Sequence, residues 1–192
     1  MMILNDRMSC QGHSPDLVAG QLHEAVTRLG CECVLLDFQR PPQADSQAIV
    51  NKIIQTLPCP VAVTERFAAD LDCPVFLSPA PLHLPLERHL EPWHDREIWL
   101  EAALCQEEIT VTPRGTTVAV QFPPDRLTSG FYEETLRCRY RTKIDSERIT
   151  FTLFDTQEDL EKKMELAQAL GVARAVGLWQ ELKTFQIGMM PA

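Results

Sequence analysis

The feature that most constrains the fold is an alternation of short apolar runs with amphipathic segments. The clearest example is residues 30–42, where the apolar run at 34–36 turns polar at Asp37 and Gln39 before a Pro-Pro pair. A buried parallel strand that delivers side chains to a site at its carboxyl end has this pattern. A segment with helical periodicity precedes the run. The stretch therefore predicts a strand–helix–strand crossover, the unit from which parallel sheets are built.

The helix before this strand has clear start and stop signals. Ser14-Pro15-Asp16 is typical of a helix start and Gly30 of a helix end. Its predicted apolar face consists of Leu17, Val18, Leu22, Ala25, Val26 and Leu29. Asp45 is predicted to cap a second helix, which Pro58 closes.

The same alternation continues along the chain. Thr156 and Asp159 have the spacing of a capping box, which predicts a helix over residues 156–170. Short strands are predicted at residues 2–4, 34–39, 61–63, 74–77, 149–154 and 173–178.

Four segments depart from this pattern. Residues 79–96 predict a long loop with a helical piece, and periodicity leaves residues 97–104 open between strand and helix. Residues 108–122 predict a β-hairpin that leaves the main sheet, and residues 125–139 predict a helix.

Alternation of this kind indicates an α/β protein, either a doubly wound sheet or a TIM barrel of (β/α) repeats. Neither of the two Gly-rich phosphate-binding motifs follows any predicted strand, which removes the main support for a nucleotide-binding sheet. We therefore predict a single TIM-barrel-like domain over residues 1–192, with the hairpin at 108–122 as an excursion. A complete barrel needs roughly 200 residues or more, so the barrel is expected to be incomplete or degenerate and to lack one or two opening units.

Charge and hydropathy exclude several classes of partner. The net charge of −9 argues against nucleic acid and against an anionic membrane surface, since both require clustered Lys and Arg. The sequence contains no 18-residue apolar stretch, so no membrane span is predicted. The seven cysteines form no C-x-x-C pair, which favours free thiols in a reducing compartment. With no signal peptide at the amino terminus, a cytoplasmic location is predicted.

Polar side chains recur at the predicted carboxyl ends of strands, the face on which barrel enzymes place their sites. Besides Asp37 and Gln39, these positions hold Asp6, Glu65, Glu101, Asp155, Trp179 and Glu181. Any one of these acids could instead be a solvated or helix-capping residue, and Trp179 could be a packing residue. Taken together, a ring of acids with an aromatic floor suits the hydroxyl groups and pyranose faces of a sugar.

The chain resembles the glycoside hydrolase family 18 barrel, the class of chitinases and spore-lytic N-acetylglucosaminidases. One strand of that family reads D-G-x-D-x-D-x-E, and residues 32–39, ECVLLDFQ, lie in register with it. The final strand of that family often carries a Trp, which resembles Trp179 after residues 175–178. The resemblance covers residues 1–80 and 149–182, and each motif alone has low specificity.

The resemblance implies a specific chemistry and also a departure from it. In that family the last Glu protonates the glycosidic oxygen, the substrate's acetamido group attacks the anomeric carbon, and the preceding Asp orients that group. Here Asp37 matches the orienting Asp, but Gln39 occupies the position of the acid. An amide can hydrogen-bond but cannot act as a carboxylic acid. Leu35 and Glu32 also replace two aspartates of the pattern.

Other chemistries find little support. His83, His89 and His94 have spacings that fit neither a zincin helix nor a zinc finger, so no metal is predicted. No cofactor fingerprint and no Cys–His or G-x-S-x-G nucleophile is found, so no cofactor is predicted. The alternating basic residues of 137–143 favour a solvated face over an anion-binding edge.

Three hypotheses for function follow. The first is a family 18-like protein that binds an N-acetylglucosamine-containing glycan or peptidoglycan fragment after loss of acid catalysis, with Asp6, Glu101, Asp155 and Trp179 as substrate-binding residues. The second is an active glycosidase in which Asp37 works with Glu65 or Glu181 as the acid. The third is a structural barrel protein completed by self-association, as a homodimer.

Overall fold

A computed structural model describes residues 1–6, 12–121 and 127–177. The chain divides into two compact units. Unit 1 contains Met1–Ser78 and Trp93–Trp99, and unit 2 contains the described residues of Pro79–Pro92 and Leu100–Ala192. The single-domain organisation over residues 1–192 stays a prediction.

Unit 1 is built from strand–helix repeats. Its elements are β1 (Met2–Asn5), α1 (Pro15–Leu29), β2 (Val34–Asp37), α2 (Ala44–Thr56), β3 (Val61–Thr64), α3 (Glu65–Ala68), β4 (Val75–Leu77) and the first half of β5 (Ile98–Glu101). Neighbouring strands from β1 to β4 pair in parallel. The strands β2, β3 and β4 are almost wholly buried, which explains their continuous apolar sequence.

The predicted boundaries of α1 are confirmed. Ser14 is the N-cap residue, Pro15 is at the start, and Gly30 ends the helix with φ of 62°, a left-handed conformation that glycine adopts without steric cost. The predicted apolar face was too wide, because Leu17 and Leu29 are 55% and 63% exposed. The buried stripe consists of Ala19, Leu22 and Val26, and α1 packs against α2.

The start of α2 corrects a second prediction. Its N-cap residue is Gln43 rather than Asp45, which lies within the first turn. The Ser46 hydroxyl accepts a hydrogen bond from the Gln43 N–H at 2.9 Å, so a capping interaction forms two residues earlier than expected. An acid in the first turn is still favourable at the positive end of the helix dipole.

Unit 2 combines helices with an antiparallel sheet. Its elements are α4 (Leu86–Leu90), the second half of β5, β6 (Gln106–Thr112), β7 (Gly115–Val120), β8 (Phe131–Glu133), β9 (Cys138–Ile144), β10 (Ile149–Phe154), α5 (Gln157–Ala169) and β11 (Arg174–Val176). The antiparallel strands have the order β7-β6-β10-β9-β8. Within the predicted hairpin region 108–122, β6 and β7 are joined by a two-residue turn, Pro113-Arg114.

Three expectations for this part of the chain change. The helix predicted over residues 125–139 is wrong for the described residues, which form β8, a turn and the start of β9. The strand at 149–154 exists as β10, but it pairs antiparallel with β6 and β9 instead of joining the parallel sheet. The ambiguous segment at 97–104 contains a strand, β5. Periodicity cannot identify a strand's partner, because pairing depends on residues distant in sequence.

The parallel strands have the order β1-β2-β3-β4-β5-β11. The Val75 N–H of β4 donates a hydrogen bond to the carbonyl of Glu97, the residue before β5. The N–H of Ala102, the residue after β5, donates to the Val176 carbonyl of β11. Six strands within the described residues are fewer than the eight of a closed TIM barrel. The structure is therefore mixed α/β, with an incomplete barrel-like parallel sheet and a separate antiparallel sheet. Among the described residues, no helix combines the length and apolarity needed to cross a bilayer.

A buried carboxylate fixes the loop before α4 in unit 2. Glu107 on β6 is 3% exposed. Its two oxygens accept hydrogen bonds from the Leu82 N–H at 3.0 Å and the His83 N–H at 3.2 Å, and its Oε2 lies 2.6 Å from His83 Nδ1. Leu82 then packs with Cys138 and Leu153 in the core of the unit. The buried negative charge of Glu107 is tolerated because its oxygens accept hydrogen bonds.

Replacing this carboxylate is expected to destabilise unit 2. Glu107→Gln keeps one acceptor oxygen but places an NH₂ group against a backbone N–H, so a buried donor loses its partner. We expect a loss of about 1–3 kcal/mol in the free energy of unfolding, measured by urea titration. The control is Glu108→Gln, because Glu108 is the exposed next residue on the opposite face. Equal effects of the two substitutions would contradict the role given to Glu107.

Candidate functional site

The carboxyl ends of β1, β2 and β3 lie side by side because the strands are parallel and in register. Asn5 at the end of β1 is opposite Asp37 at the end of β2. Thr64 ends β3, and the exposed Glu65 begins α3 immediately after it. Four sequence-predicted residues, Asp6, Asp37, Gln39 and Glu65, thus follow three adjacent strands of unit 1.

Asp6 connects the first two of these strand ends. Its Oδ2 atom accepts hydrogen bonds from the backbone N–H groups of Gln39 at 2.9 Å and Arg40 at 2.5 Å. Two backbone donors on one carboxylate oxygen fix the turn after β2 relative to the end of β1. Asp6 was predicted to bind substrate, and the structure additionally gives it a role in positioning the segment that carries Gln39.

The side chains of Asp37 and Gln39 contact each other directly. Gln39 Nε2 donates a hydrogen bond to Asp37 Oδ1. Asp37 is half-buried and Gln39 is exposed. Because an amide nitrogen donates a hydrogen bond without transferring a proton, one oxygen of Asp37 has a neutral donor.

Thr64 is a part of this edge that sequence analysis missed. Its hydroxyl donates a hydrogen bond to the Phe38 carbonyl at 2.7 Å, and the contact is buried. The Phe38 ring packs edge-to-face against Phe67 with centroids 5.7 Å apart. The backbone between Asp37 and Gln39 is therefore held from the β3 side as well as from Asp6. A hydroxyl at the end of a buried strand was the available signal.

Two other predicted residues, Glu101 and Asp155, lie in unit 2. They line one cleft together with Lys163, Cys105 and Met164. Asp155 was expected at the carboxyl end of a barrel strand. That placement is wrong, because Asp155 follows β10 of the antiparallel sheet. The prediction that Glu101 and Asp155 bind substrate stays a prediction.

The cleft contains a buried ion pair. Lys163 Nζ donates to Asp155 Oδ1 at 2.6 Å, and both side chains are buried. Burial raises the pKa of Asp155 to about 6, although the Lys163 charge and hydrogen bond oppose the shift. Sequence analysis missed Lys163. Its signal is position, since it lies three residues after Leu160 and four before Ala167 on the buried face of α5.

Neither a nucleophilic thiol nor a metal centre is supported around these residues. Burial raises the pKa of the Cys105 thiol to about 12, so the reactive thiolate is scarce at neutral pH. Within residues 1–6, 12–121 and 127–177, no group of three or more His, Cys, Asp or Glu side chains is placed to hold a metal ion. Trp179 and Glu181 lie outside the described residues.

The raised pKa of Asp155 predicts a pH dependence of stability. In the folded state Asp155 keeps its proton up to about pH 6, whereas the ordinary pKa of this carboxyl group is 3.8. The contribution of this group to stability is therefore fully present below about pH 4 and is lost as the pH rises through 6. Between pH 4 and 7, the wild-type free energy of unfolding should fall relative to that of Asp155→Asn by on the order of 1–3 kcal/mol.

The measurement is urea titration of both proteins at several pH values. Glu161→Gln removes an exposed carboxylate from α5, the helix that carries Lys163, and sets the background. A wild-type-minus-variant difference that stays constant, or rises with pH, would contradict the assigned direction.

Comparisons with known proteins bear on the fold. No protein-family model matches the sequence, and no curated protein matches it significantly. The structure is similar to that of the "putative sporulation-specific glycosylase ydhD" from Bacillus subtilis, with a TM-score of 0.59 and 12% identity over 91% of this chain and 78% of that chain. The chain therefore has a glycosidase-like fold.

Two further solved structures are similar at a lower level. The spore cortex-lytic enzyme SleL of Bacillus megaterium QM B1551 gives a TM-score of 0.45 at 14% identity, over 86% of this chain and 49% of that one. SleL of Bacillus cereus gives 0.48 at 9% identity, over 92% of this chain and 55% of that one. The chain thus spans about half the length of these two enzymes, and the fold assignment relies on the first structure.

Proposed function

We propose that the protein is a family 18-like member of the glycosidase-fold proteins that binds an N-acetylglucosamine-containing glycan without standard acid catalysis. The proposed site is the carboxyl edge of β1, β2 and β3. The observation that carries the proposal is the hydrogen bond from Gln39 Nε2 to Asp37 Oδ1. It joins the two residues that the family resemblance matches to the orienting Asp and the acid.

The chemistry of this pair favours binding over hydrolysis. A glutamic acid at position 39 could share a proton with Asp37 and transfer it to a leaving oxygen. The amide of Gln39 has no such proton, but its carbonyl oxygen can still accept hydrogen bonds from sugar hydroxyls. The second oxygen of Asp37 is the proposed acceptor for an acetamido N–H.

The support around this pair matches a binding role. Asp6 accepts hydrogen bonds from the backbone N–H groups of Gln39 and Arg40, and the Phe38 carbonyl accepts one from the Thr64 hydroxyl. These contacts fix the segment that carries Asp37 and Gln39. A site held in this way loses little conformational entropy when a ligand binds. That Trp179 binds a pyranose ring stays a prediction from the sequence.

A second candidate is an active glycosidase that takes its acid from another strand end. One observation favours it. Glu65 is exposed and follows Thr64, whose hydroxyl bonds the backbone next to Asp37. The strands β2 and β3 are neighbours, so a carboxylate on the second could serve a substrate held at the first.

Binding is tested by calorimetric titration with N-acetylglucosamine oligomers of two to six units. We expect saturable binding that Asp37→Ala and Gln39→Ala each weaken by roughly 10-fold, the loss of about one charge-assisted or neutral hydrogen bond. Glu32→Gln is the matched control, because Glu32 is an exposed acid two residues before β2, at the end opposite to Asp37. No binding at millimolar oligomer, or equal weakening by the control, would contradict the proposal.

Catalysis is tested with an aryl N-acetylglucosaminide. We expect no turnover by the wild-type protein and, for Gln39→Glu, a gain of up to about 10²-fold over background, because the substitution restores a transferable proton beside Asp37. The double variant Asp37→Asn with Gln39→Glu should lose that gain. Wild-type turnover that Glu65→Gln abolishes would instead establish the second candidate.

A further inference from the structure

Within the described part of the chain, the outer edge of β7 is an unpaired strand edge. This strand ends the order β7-β6-β10-β9-β8, and no described strand pairs with its outer side. Its six residues, GTTVAV, are all exposed. They include no charged residue and no proline, the features with which sheets usually protect their edges against pairing with another chain.

The opposite edge of the same sheet is different. Strand β8 has only three residues, and one of them is Glu133. The turn after it contains Arg137 in a left-handed conformation with φ of 51°. A short edge strand with charged neighbours is poorly suited to pairing. Among residues 1–6, 12–121 and 127–177, these protective features are therefore present at one edge of the sheet and absent at the other.

The register defines which backbone groups of β7 point outward. Gln121 N–H donates to the Gln106 carbonyl, so the pair 106:121 is hydrogen-bonded. Hydrogen-bonded and non-bonded pairs alternate along antiparallel strands, and Val118 pairs with Ile109 as one of the non-bonded pairs. The N–H and C=O groups of Thr116, Val118 and Val120 therefore point away from β6.

The side chains of these three residues lie on one face of the sheet, on which the cross-strand partner of Val120 is the buried Glu107 and the other neighbours are mainly apolar. Cross-strand partners share a face, and Val111 is opposite both Thr116 and Ile149, which in turn is opposite Ile144. Val118, Val120 and Ile144 are 48%, 74% and 72% exposed. A strand that pairs with this edge would therefore also bury part of the exposed apolar surface of these side chains, which favours pairing.

We propose that β7 pairs with β7 of a second copy of this chain, antiparallel across a two-fold axis at Val118. This register places Thr116 opposite Val120 of the partner subunit and Val118 opposite Val118 of the partner subunit. Each outward N–H and C=O then has a partner, and the two five-stranded sheets form one continuous sheet.

The β7 edge can meet the same edge of a second copy without local charge repulsion. Two chains that each have a net charge of −9 repel one another over most of their surfaces. The β7 edge contributes no charge to either side, so pairing there brings no like charges directly together. An antiparallel strand is also self-complementary, because a two-fold axis satisfies both copies with one set of residues. This inference is independent of the proposed glycan site, which lies in unit 1.

The test is sedimentation velocity on the full chain from about 1 to 100 µM, a range that detects micromolar dimers. We expect a wild-type species of twice 21.7 kDa at the upper concentrations. Val118→Lys places two ammonium groups opposite each other at the axis and should yield monomer. Val118→Pro should do the same, because it removes an N–H that the β6–β7 ladder does not use.

The matched control is Val111→Lys. It adds the same charge on the same face but on β6, an internal strand, so the dimer should persist. A second readout is hydrogen exchange, in which the amides of Thr116, Val118 and Val120 should be protected at high protein concentration and exposed on dilution. Wild-type monomer throughout, a dimer that survives Val118→Lys, loss of the dimer in Val111→Lys, or unprotected amides in an associated wild type would each overturn the proposal.

Discussion

The candidate site depends on the parallel pairing of β1, β2 and β3. Parallel strands end at the same edge of a sheet, so residues from three separate stretches of sequence meet there. The Asp6 carboxylate then joins the first two strand ends by accepting two backbone N–H groups. Without this pairing, Asp37 and Gln39 would lie on an isolated turn with no fixed direction.

The arrangement around Asp37 shows how a small chemical change can alter the use of a site. Glutamine and glutamic acid have nearly the same shape, so Gln39 can occupy the place of an acid and still contact Asp37. The amide keeps the hydrogen bond but provides no proton. A fold that holds this pair in place can therefore retain a ligand site while losing the reaction, and this is the basis of the proposed function.

Unit 2 uses buried charge for a different purpose. Glu107 accepts hydrogen bonds from the backbone N–H groups of Leu82 and His83 in the loop before α4. Lys163 of α5 forms an ion pair with Asp155. Both carboxylates are buried. Glu107 accepts hydrogen bonds at both oxygens, whereas at Asp155 the effect of burial exceeds that of the Lys163 contact and raises the pKa. These interactions position the loop before α4 and the helix α5.

The sequence by itself determined many of the local elements, although the helix predicted over residues 125–139 is wrong for the described residues. Caps and stops at Ser14, Gly30, Thr156 and Asp159 define helix ends, and short apolar runs define the strands of unit 1, because these signals act within a few residues. Which strands pair with one another was decided only by the tertiary structure. The run at 149–154 has the same apolar pattern as a barrel strand, yet it pairs antiparallel with β6 and β9. In the same way, Asp6 accepts hydrogen bonds from the backbone N–H groups of Gln39 and Arg40, which lie 33 and 34 positions away in sequence, and no local pattern encodes these contacts.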